Sequence, residues 1–339
     1  MSYKQNFRDV GAPDLFLSNF SVAYWQDTSR FVGTRYFPVV PVTQAAGKYL
    51  TYPKGYFGRP VNSKRAEDGV ANTIGYKTKN QGYTVDDDAI RIFISDKKRA
   101  NVANGQQLDM EATGVVTDAL LINKEIDFVS KFLVPGKWAT DYQGVDATPT
   151  GNQFLKWSNA NSDPIGDILS HRVAFSLATG GRRWNKALMT LDVYDALTRN
   201  PSVIDRINGA STSQNPGIVT QQALAALLEV DEIEIMQSVV NMAADGLEDS
   251  DGNPLSDFQF AAEGVLMLNY VEPTVGNMKP ISAVTFAWNE FASLGIDNGP
   301  SIRTYPGVEG RRGNFVEAEF AIDTEMVAPD MGILFYDAV

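Results

Sequence analysis

Residues 108–136 read LDMEATGVVTDALLINKEIDFVSKFLVPG, and this stretch decides the architecture. Leu108, Ala112, Val115, Ala119, Ile122, Ile126, Val129 and Leu133 recur at alternating steps of four and three. That spacing predicts one apolar seam along a helix of about 40 Å at 1.5 Å per residue. Asp109 and Glu111 sit in its first turns and Lys131 near its last, as the helix dipole favours, and Pro135-Gly136 stop it. A single seam of this length packs more often on a sheet of its own domain than in a coiled coil.

Working toward the N-terminus, residues 48–84 read as a long two-stranded excursion. Lys48-Tyr49-Leu50-Thr51-Tyr52 and Ile74-Gly75-Tyr76-Lys77-Thr78 alternate as strands around a tip carrying Gly55, Gly58, Pro60 and Gly69. Neither strand has a strongly apolar face, so the hairpin is expected to need a partner surface. Residues 1–47 show no sustained period. Phe16, Phe20, Tyr24 and Trp25 suggest one short amphipathic helix, and Pro38 and Pro41 hold their neighbours extended. This arm is expected to be ordered by docking on another surface, since nothing in it forms a compact core.

Toward the C-terminus the chain alternates helices and short strands. Asp163-Pro164 predicts a helix start, with the helix running to Gly180-Gly181. A further helix is expected from Asp192, and Thr220 should cap one over 221–228. Strands are expected at 186–190, 232–240 and 264–269, where Val265-Leu266-Met267-Leu268 has the continuous apolar character of a strand buried on both faces. This region reads as α/β. Val316, Ala318, Phe320 and Ile322 then alternate with polar or small residues, and Ile333-Leu334-Phe335-Tyr336 is a last strand.

The bulk properties are those of a folded protein: 339 residues, 44% hydrophobic, 21% charged, without cysteine. Disulfides and thiolate metal sites are thereby excluded. No apolar run approaches the ~20 residues that span a bilayer, and the start lacks the apolar region of a signal peptide, so a protein made in the cytoplasm without a membrane partner is expected. The net charge of −12 is unevenly spread. Residues 48–79 hold seven basic against two acidic side chains, and residues 80–339 carry −18. A basic arm on an acidic body suits self-association. The residues expected to make such contacts are Lys54, Arg59, Lys64, Arg65, Lys77 and Lys79 in the basic segment, with Phe16, Phe20 and Trp25 in the arm.

Catalytic patterns fail in turn. The only histidine, His171, is expected at the surface, away from the face formed by Ile165, Ile168, Leu169 and Val173, which leaves no base for a triad. The acidic stretch 245–252 places Leu247 and Phe258 where a calcium loop needs ligands. Gly47-Lys48 lacks the rest of a phosphate loop, the spacing of Gly307, Gly310 and Gly313 is wrong for one, and Glu317 and Glu319 share a strand face without glycosidase geometry. The chain is therefore expected to be no enzyme and to need no cofactor or metal.

The order of parts, with several strings, resembles a known family. The strings are Gly47-Lys48-Tyr49, Ala71-Asn72-Thr73-Ile74, Ile94-Ser95-Asp96-Lys97-Lys98-Arg99-Ala100-Asn101, Glu111-Ala112-Thr113, Thr117-Asp118-Ala119-Leu120-Leu121, Ser162-Asp163-Pro164-Ile165 and Asp192-Val193-Tyr194-Asp195-Ala196-Leu197. Together they resemble the major capsid protein of tailed bacteriophages, the fold first described for phage Hong Kong ninety-seven. The resemblance implies an α+β chain divided into an N-terminal arm (1–47), a two-stranded E-loop (48–84), a P domain with the long spine helix and a β-sheet (85–145), an α/β A domain (146–290) and C-terminal strands completing the P domain (291–339). It implies self-assembly through hexamers and pentamers into the icosahedral head, enclosing double-stranded DNA without sequence-specific binding, with portal and decoration proteins as partners. The arm begins almost at Met1, so a separate scaffolding protein is expected. Some relatives crosslink an E-loop lysine to a neighbour; Lys54 and Lys64 lie in the loop, but no acceptor or catalytic carboxylate can be matched. An encapsulin shell shares the fold and is the alternative within structural proteins. An acidic α/β hydrolase is the alternative from another class.

Overall fold

The structure is a computed structural model and describes residues 30–65, 67–101, 105–209, 219–243, 246–248, 255–272, 274–276, 278–289, 300–307 and 310–339. Strands β1 (Val39–Val42), β2 (Ala46–Thr51), β3 (Lys79–Thr84) and β4 (Asp88–Ser95) lead into helix α1 (Asp96–Ala100) and the spine helix α2 (Gly105–Phe132). The spine is one unbroken helix, as expected, and Leu108, Ala112 and Leu133 of the expected row are buried, but the middle of its buried row is different. Leu108, Ala112, Val116, Leu120 and Leu121 pack in one core, and Phe128, Phe132 and Leu133 in a second. Val115 is 49% and Ile126 43% exposed, against 1% for Val116 and 3% for Phe128. Steps of four turn the row by about 40° each at 3.6 residues per turn. The helix therefore lies obliquely across two cores, and no straight seam of alternating fours and threes can serve both.

Beyond the spine come β5 (Thr140–Val145), β6 (Gln153–Leu155), α3 (Pro164–Ser170), α4 (Arg172–Thr179), β7 (Lys186–Thr190), α5 (Leu191–Arg199), α6 (Pro201–Gly209) and α7 (Gln221–Leu228). The caps behave as their residues dictate. The Asp163 carboxylate accepts from Gly166 N at 3.2 Å, the Thr220 hydroxyl accepts from Ala223 N at 3.2 Å, and Gly180 ends α4 in the left-handed region at φ 73°. The single helix expected over 164–179 is two, broken at His171. The chain then forms β8 (Glu232–Met236), β9 (Val239–Asn241), β10 (Phe258–Phe260), β11 (Leu266–Asn269), β12 (Ala283–Trp288), β13 (Ser301–Pro306), β14 (Gly313–Phe320), β15 (Ile322–Met326) and β16 (Gly332–Tyr336).

The largest sheet has the order β6-β5-β16-β11-β7-β8. Its inner strands alternate between two cores with the period of two that a pleat imposes. Leu266, Leu268, Ala187, Met189, Ile333 and Phe335 face the helices α3 to α7, while Met267, Leu188 and Leu334 face the spine side with Phe128 and Phe132. The run 265–268 is thus buried on both faces, as its composition predicts. A second sheet, β13-β14-β4, carries Val316, Ala318 and Phe320 against the first half of the spine, and a third, β1-β12-β15, includes a parallel pairing of β1 with β12. The described residues of 291–339 are distributed over these three sheets, with β16 in the middle of the largest.

The arm departs from expectation. Phe31, Val32, Tyr36 and Phe37 are at most 1% exposed and belong to the subunit's own cores. Apart from Arg35, residues 31–37 are therefore core, and the prolines that follow set the extended path of β1 without keeping the segment off the body.

Candidate assembly interface

The basic hairpin begins as a β2–β3 ladder with Tyr49 opposite Gln81 and Gly47 opposite Tyr83. The first strand lies where the sequence places it, whereas residues 74–78 are not strand; the second strand is 79–84. Aromatic packing at the base fixes this register. Tyr83 stacks on Phe286 of β12 at 4.4 Å between ring centroids, and Tyr49 meets the same ring at 5.4 Å. A Cβ at position 47 would lie 2.5 Å from the Tyr83 hydroxyl, so a larger residue there would have to displace the Tyr83 ring from Phe286. Beneath the base, burial and the neighbouring Asp323 hold the Glu325 carboxyl above its ordinary range, and Lys131 bonds Asp323 at 2.5 Å. The base thus has a core within its own chain.

Above residue 51 the hairpin leaves the body. Lys54, Arg59, Lys64, Arg65, Lys77 and Lys79 are all exposed. Arg59 Nε donates to Gly55 O at 2.6 Å and Asn72 Nδ2 to Asn62 O at 2.5 Å, bonds that stay inside the loop. Lys54 reaches out of it, forming an ion pair with Asp330 and lying 3.5 Å from Ala178 O. Apolar side chains are exposed alongside these cations, Val70 at 93% and Ile74 at 74%. The structure thus brings the six basic candidates onto one projecting loop, while Phe16, Phe20 and Trp25 lie outside the described residues.

Sequence reasoning missed the joint at the other end of the arm. Glu125, 1% exposed on the spine, accepts Val32 N at 3.0 Å, Gly33 N at 2.6 Å and the Ser238 hydroxyl at 3.0 Å. One carboxylate so ties arm, spine and the turn after β8. Burial outweighs these donors and holds the carboxyl above its ordinary range. Beside it Arg35 pairs with Glu234 at 3.0 Å, and the Lys186 ammonium lies 4.6 Å from the Tyr36 ring centre. The available signal was a carboxylate in the row Leu121-Glu125-Phe128, where an apolar residue would otherwise sit.

Several other polar groups are engaged in local structure. His171 is half-buried and stacks on Tyr142 at 3.8 Å, contrary to the solvated position expected, because the helix break turns it inward and leaves Val173 66% exposed. Burial pushes its pKa down. Glu319, expected to share a strand face with Glu317, is 3% exposed and forms an ion pair with Arg303 at 2.9 Å, while Glu317 accepts the Tyr305 hydroxyl at 2.6 Å. An open depression of about 630 Å³ holds Asp146, Asp192 and Asp337. These bond Lys156, Gly264 N and Gln143 in turn. Among the described residues no group of three His, Cys, Asp or Glu could hold a metal ion, and no helix is long and apolar enough to cross a membrane.

No protein-family model and no curated protein matches the sequence. Solved structures do match over almost the whole chain. A phage-related protein from Bordetella bronchiseptica RB50 is 22% identical with a TM-score of 0.62, covering 96% of this chain and 97% of that one. The capsid structure of cyanophage P-SCSP1u gives a TM-score of 0.53 at 11% identity, over 94% and 90%. The SrpI encapsulin complex of Synechococcus elongatus PCC 7942 gives 0.51 at 11%, over 96% and 95%. Likenesses at these identities establish a fold, and the fold is the one that the order of arm, basic loop, spine helix and α/β domain resembles: the chain has the phage major capsid fold of the Hong Kong ninety-seven type.

Proposed function

We propose that this chain is the major capsid protein of a tailed bacteriophage, self-assembling into an icosahedral head that encloses double-stranded DNA. The observation that carries the reading is the projecting basic loop with exposed aliphatic residues on an acidic body. It is a surface that a lone subunit leaves uncovered, on a fold shared with a cyanophage capsid. In this reading 48–84 is the E-loop, 85–145 the P domain with the spine helix, 146–290 the A domain, and 291–339 complete the P domain. Lys54, Arg59, Lys64, Arg65, Lys77 and Lys79 meet neighbouring subunits, with Phe16, Phe20 and Trp25 serving the arm's contacts. A separate scaffolding protein, a portal and a decoration protein are its partners, and assembly takes place in the host cytoplasm. The chain works by tiling and not by catalysis.

The test is expression of the chain followed by analytical ultracentrifugation and cryo-electron microscopy. Closed particles are expected; a monodisperse monomer at every concentration would overturn the reading. The likeness to an encapsulin, nearly equal to that of the cyanophage capsid, favours a second reading as a cargo shell. Portal and terminase genes beside this one decide for the head, and a cargo enzyme inside the particles decides for the compartment.

A further inference from the structure

Away from the basic loop, the body gathers a second group of cations at the start of the spine. Strand β4 ends at Ser95, whose hydroxyl accepts from Lys98 N at 3.2 Å and opens the short helix α1. The ladder sets Ser95 opposite Gly313, and just beyond it Asp96 N donates to Arg312 O at 3.1 Å. Lys97-Lys98 and Arg311-Arg312, distant in sequence, are thereby brought to one corner of the β13-β14-β4 sheet. The corner is fixed in place. Arg99 forks onto Asp109 of the spine at 3.0 and 2.6 Å, which anchors α1. Gly313 holds φ 149°, and a Cβ there would lie 2.2 Å from Ile94 O, so only glycine lets the chain enter β14 this close to β4.

Lys97, Lys98, Arg311 and Arg312 are all exposed, and among the described residues none of their side chains pairs with a carboxylate. Elsewhere on the body cations are neutralised by neighbours: Arg172 by Glu229, Arg183 by Asp231 and Arg206 by Asp163. Four cations here stand against one carboxylate, Asp96, in a part of the chain, 80–339, that carries −18. Like charges held together repel, and the fold gains nothing from their meeting. A ligand of negative charge does. Composition separates this corner from the basic loop, whose cations stand among the exposed aliphatics Val61, Val70 and Ile74. Neither Asp96–Arg99 nor Gly310–Asn314 holds an apolar side chain. A protein partner is bound through a desolvated centre with a polar rim. A phosphodiester backbone is bound by cations alone, through release of its counterions, and an arginine fork fits its paired oxygens.

We propose that Lys97, Lys98, Arg311 and Arg312 form a binding site for the phosphodiester backbone of double-stranded DNA, without regard to base sequence. This inference rests on the reading of the chain as a shell around DNA and adds to it the residues that meet the duplex.

The experiment uses the full chain as unassembled subunit and a fluorescein-labelled duplex of mixed sequence, with binding followed by anisotropy between about 50 and 200 mM salt. Each phosphate neutralised contributes about −0.9 to the slope of log K against log salt, so four contacts give a slope of about −3.6 and a roughly 150-fold loss of affinity over this range. Arg311→Ala/Arg312→Ala is expected to halve the slope to about −1.8, and further removal of Lys97 and Lys98 to abolish binding. Arg311→Lys/Arg312→Lys keeps both charges and should keep the slope. Arg59→Ala/Lys64→Ala/Arg65→Ala in the basic loop should leave it unchanged. All these side chains are exposed, so equal urea midpoints are expected throughout. A slope that falls with the loop variant and not with the corner variants overturns the assignment, as does absence of binding at the lowest salt. Corner variants that bind DNA normally but weaken self-association in sedimentation show that the corner serves a second copy, and also overturn it. Particles formed by a chain without affinity for DNA overturn this inference alone; a chain that binds DNA through the corner and forms no particle overturns the shell reading alone.

Discussion

Glu125 offers the sharpest test of how the subunit is held together. Replacing it with alanine leaves the amides of Val32 and Gly33 and the Ser238 hydroxyl without their acceptor in a site that is 1% exposed. Each unsatisfied buried donor costs about 1–3 kcal/mol, so Glu125→Ala, which strands the two amides while Ser238 is free to turn elsewhere, should lower subunit stability by roughly 2–6 kcal/mol. Glu125→Gln keeps one acceptor oxygen but turns an amide donor toward the others, for a loss of about 1–3 kcal/mol. The two variants also differ in pH response. Burial raises the folded carboxyl above its unfolded value, so the folded chain holds that proton more tightly. Its stabilising contribution is complete below an unfolded value of about 4.3 and is lost as pH rises through the folded one. Glutamine has no such proton, and the wild-type advantage over it should therefore narrow with rising pH across that window. Urea unfolding of the unassembled subunit measures the loss, and hydrogen exchange at Val32 and Gly33 shows whether the arm has come free. A loss for alanine under about 1 kcal/mol, or unchanged exchange at those amides, would show that the carboxylate is not the joint described.

Reversing Arg59, Lys64 and Arg65 together to Glu is expected to block particle formation while leaving the subunit's thermal unfolding unchanged, because all three side chains stand clear of the body; normal particle yield would refute their role. Leu120→Ala should cost about 2–5 kcal/mol in folding, whereas Ile126→Ala, on the expected but exposed row, should stay within about 0.5 kcal/mol; equal losses in urea unfolding would return the buried row to the expected spacing. His171, its pKa lowered by burial against Tyr142, should destabilise the subunit as pH falls below its unfolded value of about 6.5, and His171→Phe should remove that dependence. Parallel pH profiles for the two proteins would dismiss the effect.

The long helix was legible because its length, its charged ends and the Pro135-Gly136 stop are local properties. Its buried row was not, because Val115-Val116 and Leu120-Leu121-Ile122 place apolar residues on two adjacent rows, and the angle at which the helix crosses its sheets chooses between them. The loop's charge could be read directly, whereas its register depends on Phe286, some two hundred residues away. Pro38 and Pro41 marked an extended path correctly, yet burial of the residues before them rests on Glu125, a partner that no local pattern announces. Asn200-Pro201 was readable and overlooked: Asn200 Oδ1 accepts Ser202 N at 2.9 Å, capping α6. The Lys54–Asp330 contact spans almost the whole chain and has no local signature.

Strand β16 has a consequence for how the chain is made. It pairs in parallel with β5 on one side and antiparallel with β11 on the other, so the large sheet consists of β6-β5 and β11-β7-β8 until residues 332–336 join them. During synthesis the open edges of β5 and β11 must wait for a segment translated long after either of them. Contacts of such sequence separation form slowly, and open edges invite pairing with the wrong partner. A nascent chain of this protein is therefore exposed to misassociation until its last strand leaves the ribosome, and its dependence on chaperones should be concentrated in that interval.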